Sequence, residues 1–422
     1  MVLPPIRLIR DRPTWLIYLQ LSAFATYMYG LSAALPLLRA DLRVPATVAG
    51  LHGTAMAAGT IAAGLLLPAL TRRFGRRATT WIGLAGMNAG LLVIVPADAL
   101  PLTMLGYGVS GGFSAIMLYT AMAALSDHHG PAGPAAISEA NAVGVVVGMG
   151  MTFCLSVVAQ TAFGWRAALL VTPVVSVLLA LFMGRVWPPP PPGSHQAAGA
   201  AGAAGAAGAA GAGVGAKTGA GPGGSPERAA GAGGGAEAVG RPGWGFHLAG
   251  LVLFCCVAME FTFNLWAADL FAGRTGLSAA AAATGLTAFV GGLAAGRFAG
   301  AQLALRLPTV PLFVGALAVA FAGWLLFWLS THPALSYAGL VVCGLGASLH
   351  FPLALSGLIA GAGGRADLAA AASPIWAGAA IAAGPLALGA LADGFGTWKA
   401  FLLVPVLIGL AVAGVLSSSR RS

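Results

Sequence analysis

Charged side chains are scarce in this sequence. Asp, Glu, Lys and Arg together make up 8% of its 422 residues, whereas hydrophobic residues make up 58% and the mean hydropathy is +0.88. A soluble domain carries roughly 25% charged residues, and a water-soluble chain of this length could not hide so much apolar surface. The shortage of charge therefore excludes a soluble globular protein. It predicts an all-α, polytopic membrane protein whose apolar surface is covered by lipid.

Cysteine is also rare, and the few cysteines do not form a recognisable site. All four lie inside apolar runs, and no Cys-x-x-Cys pair occurs among Cys154, Cys255, Cys256 and Cys343. This pattern favours small buried hydrophobes over a disulfide framework or a zinc site. The sequence also lacks a phosphate-binding loop and a hydrolase nucleophile elbow. We therefore expect no metal, no cofactor and no enzymatic activity.

The net charge of +10 could indicate a nucleic-acid partner. However, Lys and Arg fall in short clusters between long apolar runs, without the interleaved aromatic residues of nucleic-acid binders. If the N-terminus is cytoplasmic and the loops alternate sides, sixteen of the 21 basic residues lie in the cytoplasm. This asymmetry follows the positive-inside rule. We expect a multi-pass protein of the cell membrane (inner or plasma), with both termini cytoplasmic and no nucleic-acid partner.

Twelve apolar stretches are long enough to cross a bilayer as helices, which takes about 20 residues. They are approximately 14–38, 46–70, 78–96, 100–125, 136–161, 166–187, 247–271, 277–301, 308–330, 335–361, 368–391 and 398–417. A segment rich in Pro, Ala and Gly separates the first six from the last six, and its Ala/Gly tract cannot build a core. We predict a six-helix half over 1–187, a disordered cytoplasmic linker over 188–243, and a second six-helix half over 244–422.

The two predicted halves repeat each other at a fixed offset. Trp165 and Trp398 occupy matching loops, before the sixth and the twelfth stretch, and they are 233 positions apart (398 − 165 = 233). Arg73 and Arg306, in the loops after the second and the eighth stretch, have the same separation (306 − 73 = 233). A duplicated six-helix unit explains both matches.

The loop between the second and third stretches carries the most specific motif, Leu70-Thr71-Arg72-Arg73-Phe74-Gly75-Arg76-Arg77. It resembles the signature of the major facilitator superfamily, Gly-x-Leu-Ala-Asp-Arg-x-Gly-Arg-Arg. The resemblance implies that family's fold, with twelve transmembrane helices in two pseudo-symmetric six-helix halves. It also implies a role in gating for Arg73, Gly75, Arg76 and Arg77, while a simple role in fixing the topology is the alternative.

Two positions of the signature differ from the family pattern. Pro68 replaces its first glycine, and Arg72 replaces its acidic residue. In the family the acidic residue helps to latch the two halves, often through an arginine on the fourth helix, but no Lys or Arg occurs here over residues 78–165. The usual charge relay is therefore missing.

The resemblance implies secondary active transport by alternating access. We predict proton-coupled movement of a small solute by a monomer in the lipid bilayer, with a slight preference for export of the drug-antiport type. The alternative is a proton-coupled importer of a neutral metabolite such as a sugar. From a different class, the chain could be a membrane receptor or a membrane enzyme, the latter built on His128 and His129 beside Asp127.

Ionisable residues inside the apolar stretches are the candidates for proton coupling, because a charge in mid-membrane is costly and normally faces a cavity or a partner. Glu260 lies near the middle of the seventh stretch, and His350 near the middle of the tenth. We predict that Glu260 and His350 form a proton site. Glu139, one turn into the fifth stretch, is a third candidate, with a simple helix-dipole partner as the alternative.

Polar and aromatic residues within the stretches are the candidates for contact with the solute. Asn264 lies four residues after Glu260, on the same helical face; the others are Trp266, Tyr27, Tyr119 and Trp376. Apart from Arg297, expected at a cytoplasmic end, no Lys or Arg lies deep in a stretch. Because carriers of phosphates or dicarboxylates need a fixed cation, we predict a neutral, weakly polar or cationic solute.

Overall fold

The computed structural model describes residues 8–44, 46–158, 161–188, 243–277 and 279–419. Within these ranges the chain forms helices and no β-strand, so the predicted all-α class is confirmed. The predicted linker lies outside the described residues, except for Pro188 and Gly243 at its ends. Its disorder and its cytoplasmic position therefore stay predictions.

The first half contains the described helices α1 (Arg12–Leu42), α2 (Ala46–Ile94), α3 (Leu100–His129), α4 (Gly133–Val158), α5 (Gly164–Ala168) and α6 (Val171–Met183), with a 3₁₀ turn at Gly130–Ala132. Helix α2 covers both the second and the third predicted stretch. The chain bends at Gly75, which has φ 73° and ψ 164°, a conformation that glycine adopts without steric cost. The basic motif is therefore a kink between two helical arms.

The second half contains α7 (Trp244–Thr275), α8 (Ala279–Ala304), α9 (Thr309–Leu329), α10 (Pro333–Ala347), α11 (His350–Gly361), α12 (Ala366–Phe395), α13 (Thr397–Ala400) and α14 (Leu403–Ser419). The tenth predicted stretch is thus divided between α10 and α11. Pro352 is the third residue of α11, where a missing N–H breaks no intrahelical hydrogen bond. The proline is compatible with a new helix beginning at His350 and not with the interior of a continuous one.

The helix boundaries repeat at the offset found in the sequence. Helices α3 and α10, α4 and α12, and α5 and α13 each begin 233 positions apart (333 − 100, 366 − 133 and 397 − 164). Helices α1 and α7 end at the same separation (275 − 42). The two halves therefore share one arrangement of helices, as a duplicated unit requires.

Eight helical stretches of the described chain are long and apolar enough to cross a membrane. Two of them, residues 51–94 and 100–155, are 44 and 56 residues long, roughly twice the length that one crossing needs. Large apolar side chains stand on the outside of the bundle, including Leu181, at 75% exposure, and Phe182, at 82%. These features support a multi-pass membrane protein, whereas the count of twelve crossings stays a prediction.

Two pairs of helices make the most extensive contacts between the halves. Helix α2 lies so close to α12 that a Cβ placed on Gly64 would stand 2.5 Å from Ile375 Cγ1 and 2.7 Å from the Ala371 carbonyl oxygen. Helix α4 meets α8, where the Ser138 hydroxyl donates a hydrogen bond of 2.9 Å to the Arg297 carbonyl oxygen. These contacts place α8 of the second half beside α4 of the first, and α12 beside α2.

Candidate functional site

A buried ion pair joins the middle of α7 to α8. Arg297 Nη2 lies 3.7 Å from Glu260 Oε1, and the two side chains are 8% and 23% exposed. This distance is too long for a hydrogen bond. The buried Arg297 Nε has no hydrogen-bond partner among the described residues. The pair is therefore held by charge attraction, and the guanidinium keeps donors that the protein leaves unused.

The structure corrects the expectation that Arg297 marks a cytoplasmic end. Arg297 lies seven residues before the last residue of α8 (304 − 297 = 7), which is about 10 Å along a helix. Its side chain is buried against Glu260, because two opposite charges in an apolar bundle offset part of each other's desolvation cost. A fixed cation therefore lies inside a stretch. The lack of a deep cation, on which the prediction of a neutral or cationic solute rested, therefore does not hold.

Two residues of the first half complete the surroundings of this pair. Tyr29 of α1 is within electrostatic range of both Arg297 and Glu260. Ser138 of α4 holds the backbone of α8 at Arg297. The ion pair thus lies where the halves meet, and its neighbours come from both copies of the repeated unit.

His350, the other predicted member of the proton site, lies in a different environment. It is the first residue of α11 and is 1% exposed. Its ring packs 6.3 Å from the Phe313 ring and beside Ala316, both on α9. Within the described chain, Glu260 forms its ion pair with Arg297, and none within 4.0 Å joins it to His350. No ion pair therefore joins Glu260 to His350 in this structure, and the part of His350 in proton coupling stays a prediction.

Glu139 is engaged by a residue that precedes the first helix. Arg10 donates two hydrogen bonds to its carboxylate, from Nε to Oε1 at 2.6 Å and from Nη2 to Oε2 at 2.8 Å. This hydrogen-bonded carboxylate raises the pKa of Arg10 above its usual value. Glu139 is the seventh residue of α4, beyond the first turn in which the helix dipole acts. Its structural partner is thus Arg10, and its predicted part in proton coupling stays a prediction.

The basic motif of α2 contacts three other elements. Arg76 bridges two carboxylates: Nη1 lies 2.6 Å from Asp127 Oδ2 at the end of α3, and Nε lies 2.5 Å from Asp367 Oδ1 at the start of α12. Arg77 donates a hydrogen bond to the Gly184 carbonyl oxygen just after α6. Arg73 lies over the ring of its neighbour Phe74. Arg76 therefore links the halves through a basic residue in this loop and an aspartate on α12. In the family signature the loop residue that latches the halves is acidic.

The predicted solute contacts are distributed over several surfaces. Tyr27 is buried, and the buried Tyr119 of α3 packs 6.2 Å from the ring of Phe351 in the other half. Trp376 covers Gly250, and Trp266 lies beside Gly389, so both indoles fill space between α7 and α12. Asn264 is half-buried and lies one turn beyond Glu260. Of these residues, Asn264 is the one that helix geometry aligns with the ion pair.

Sequence reasoning missed Arg297, Tyr29 and Ser138 at the ion pair, and Asp127 and Asp367 at the basic motif. Arg297 gave a usable signal, because it interrupts the apolar run Leu293-Ala294-Ala295-Gly296-Arg297-Phe298-Ala299-Gly300. The two aspartates gave none, since each lies at a helix end that is far from Arg76 in the sequence. Within the described chain, no group of three His, Cys, Asp or Glu residues could hold a metal ion.

Comparison with known proteins gives one family and several similar structures. The family model of the Major Facilitator Superfamily matches residues 16–385. The fold matches that of FucP in its outward conformation, with a TM-score of 0.73, 15% identity, and coverage of 96% of this chain and 98% of that one. A further structure of that protein is described as the Escherichia coli fucose:proton symporter. No curated protein sequence matches this chain.

Two other solved structures share the fold. The human organic anion transporter MFSD10 (TETRAN) matches with a TM-score of 0.69 and 17% identity, over 97% of this chain and 100% of that one. The proton:xylose symporter XylE matches with a TM-score of 0.70 and 13% identity, over 95% and 94% of the two chains. At these identities the likeness establishes the fold.

Proposed function

Because the chain belongs to the Major Facilitator Superfamily, we propose that it is a secondary active transporter in which Glu260 couples solute movement to a proton. Membership of a family of transporters supports a protein that is not an enzyme. The finer statement, that the driving ion is a proton, rests on the Glu260–Arg297 pair.

The observation that carries the proposal is the unequal burial of this pair. Glu260 retains 23% exposure in the middle of a membrane helix, whereas Arg297 retains 8%. A carboxylate that is reachable and held only at 3.7 Å can accept a proton without first breaking a short hydrogen bond. Protonation would remove its attraction for Arg297. That change alters the charge at the junction of the halves, which is where alternating access requires a switch.

The contacts between the halves support an outward-facing state. If the termini are cytoplasmic, the kink of α2 at Arg76 and the start of α12 at Asp367 both lie on the cytoplasmic side, where their ion pair would hold that side closed. The close approach of α2 and α12 at Gly64 lies further along the same helices. Rocking of the halves would separate both contacts and expose the Glu260–Arg297 pair to the other side.

The direction of transport is open to a direct test. The sequence analysis slightly favours export by antiport, with import as the alternative. Two of the proteins with a similar fold are described as proton symporters, which makes cotransport with a proton the first arrangement to examine. We propose symport, in the cell membrane and with both termini cytoplasmic.

The test is transport in proteoliposomes that carry a pH gradient, with a panel of radiolabelled solutes. Glu260→Gln should abolish gradient-driven accumulation while leaving solute exchange at equal pH, because the amide cannot carry the proton. Asp269→Asn is the matched control, since Asp269 is an exposed acid on the same helix and should leave accumulation unchanged. Undiminished gradient-driven accumulation in Glu260→Gln would falsify the proposal. Solute movement against the proton flow would replace symport by antiport.

A further inference from the structure

The unused donors of Arg297 point to a missing acceptor. Its guanidinium carries five N–H donors in a planar fork, yet within the described chain no hydrogen bond involves this side chain. A buried charged group without hydrogen bonds is costly. Such a group needs an acceptor that the described chain does not supply. The pair is therefore incomplete as a structural salt bridge.

The charge balance of the pair defines what this partner can be. With Glu260 ionised, the site is neutral, since one negative and one positive charge face each other. When a proton from the aqueous phase binds to Glu260, the positive charge of Arg297 is left uncompensated in a low-dielectric interior. One added negative charge restores neutrality. A neutral solute would leave the site at +1, a cation would leave it at +2, and a dianion would leave it at −1.

We infer that Arg297 binds the carboxylate of a small monoanionic solute while Glu260 carries the cotransported proton. The inference rests on the proposed function and names the solute class for the same site. The carboxylate would neutralise the guanidinium and accept hydrogen bonds from its free N–H groups. Its two oxygens in one plane match the planar fork of donors, so that two parallel hydrogen bonds can form. The proton and the anion enter and leave together, so the loaded and the empty sites carry the same net charge.

The groups around Glu260 fit this assignment. In the part of the chain that the structure describes, the ionisable groups in electrostatic range of Glu260 are Arg297 from α8, Tyr29 from α1 and Cys256 one turn earlier on α7. Arg297 is the cation among them. When Glu260 is protonated, the guanidinium of Arg297 is therefore the group that loses its counter-charge. Asn264, one turn further on, adds an amide on the same face.

Binding to the purified full-length protein tests the inference, because weak acids can cross lipid bilayers unaided and confuse flux measurements. The probes are radiolabelled acetate, lactate and benzoate, with fucose and xylose as neutral solutes and tetraphenylphosphonium as a cation. Wild-type protein should bind at least one of the carboxylates and none of the other probes with comparable affinity. Its affinity should rise as the pH falls from 8 to 6, by up to about tenfold per pH unit, the limit for one linked proton.

Substitutions assign the two roles. Glu260→Gln should bind the carboxylate at every pH with the affinity that wild type reaches at low pH. Arg297→Gln should weaken binding by about 10- to 100-fold, the value of a charge-assisted hydrogen bond, and Arg297→Lys should restore part of it. If Arg297→Gln fails to fold, the double variant with Glu260→Gln, which leaves no unpaired charge, serves instead. Arg306→Gln is the matched control, because Arg306 is exposed just beyond α8.

Three results would overturn the assignment. The first is the absence of carboxylate binding at any pH in a protein that moves a neutral or cationic solute. The second is displacement of the carboxylate by chloride as readily as by another carboxylate, which would indicate an unspecific anion site. The third is a pH dependence that persists in Glu260→Gln. Failure of the proposed function is distinguishable, since it appears as no solute movement driven by a pH gradient, whatever the protein binds.

Discussion

Two contacts between the halves occupy positions that the internal repeat makes equivalent, and they differ in chemistry. Gly64 of α2 packs against Ala371 of α12, whereas Arg297 of α8 meets Ser138 of α4. Each residue lies 233 positions from its counterpart in the other contact (297 − 64 = 233 and 371 − 138 = 233). The same point of the architecture therefore holds a glycine in one copy and an arginine in the other.

The partner of the arginine follows the same rule. Glu260 is equivalent to Tyr27 of the first copy (260 − 27 = 233), and Tyr27 is buried. Both members of the ion pair are thus replaced by uncharged residues in the first half. The two copies therefore share the scaffold, with α2 closely packed on α12, while the ionisable pair belongs to the second copy. The charge is therefore an addition to the repeat and not a requirement of its packing.

Making the charged contact as neutral as its counterpart has the largest expected effect. Arg297→Gln leaves Glu260 without its cation, and breaking a buried ion pair in this way costs about 3–5 kcal/mol. We expect a value near 3, because Glu260 is 23% exposed. Glu260→Gln combined with Arg297→Gln should recover most of this loss, since neither charge then remains. Chemical unfolding in detergent measures the free energy of unfolding for both variants.

The double-mutant cycle provides the control for this prediction. Arg306→Gln removes an exposed arginine just beyond the same helix and should change the free energy of unfolding by less than about 0.5 kcal/mol. If the double variant is as unstable as the sum of the two single ones, the pair contributes no coupling. The ion pair would then add no more to the free energy of unfolding than the uncharged residues at the equivalent positions of the first half.

The repeat explains why so much of the fold could be predicted from the sequence. Trp165 and Trp398, which reveal the offset, each have an arginine over the indole ring. Arg166 lies 4.9 Å from the ring of Trp165, and Arg274 lies 5.4 Å from that of Trp398. Each arginine also donates to carbonyl oxygens near the end of a neighbouring helix, at Ile94, Val95 and Ala97 for Arg166 and at Leu329 for Arg274. Hydropathy predicts each helix, and the loop residues predict the repeat, without knowledge of contacts between distant parts of the chain.

The site was less predictable, because its residues meet through tertiary packing. Glu260 was identifiable as a lone acid in an apolar stretch, but its partner depends on how α7 lies against α8. His350 was the other candidate in the middle of a stretch, yet the start of α11 directs it toward Phe313 of α9. Asp367 and Arg76 are 291 positions apart in the sequence. Spacing along one helix can align Asn264 with Glu260, but it cannot select partners on separate helices.

Crowding the close-packed contact is the second way to test the comparison. Gly64→Ala places a Cβ within 2.7 Å of the Ala371 carbonyl oxygen, so the helices must separate at a cost of about 1–3 kcal/mol. Gly53→Ala is the matched control on the same helix, because no atom lies within 4 Å of its added Cβ. It should stabilise by about 0.5–1 kcal/mol through helix propensity. Equal effects of the two substitutions would show that α2 and α12 do not need their close approach.

The smallest effect is expected where the close-packed contact reaches its charged end. Asp367→Asn removes the ion pair between Arg76 and α12, but Asp367 is 55% exposed, and exposed pairs contribute about 0.2–1 kcal/mol. We therefore expect the halves to separate on this side about 1.4- to 5-fold more often, the range that such energies correspond to. The rate at which a thiol reagent labels an Ala371→Cys variant, made in a Cys154→Ser background, reports this opening. Asp127→Asn is the control, because it removes the partner of Arg76 within the first half and leaves the link to α12 in place. Faster labelling in the control than in Asp367→Asn would mean that Arg76 orders its own half and that packing at Gly64 alone keeps α2 against α12.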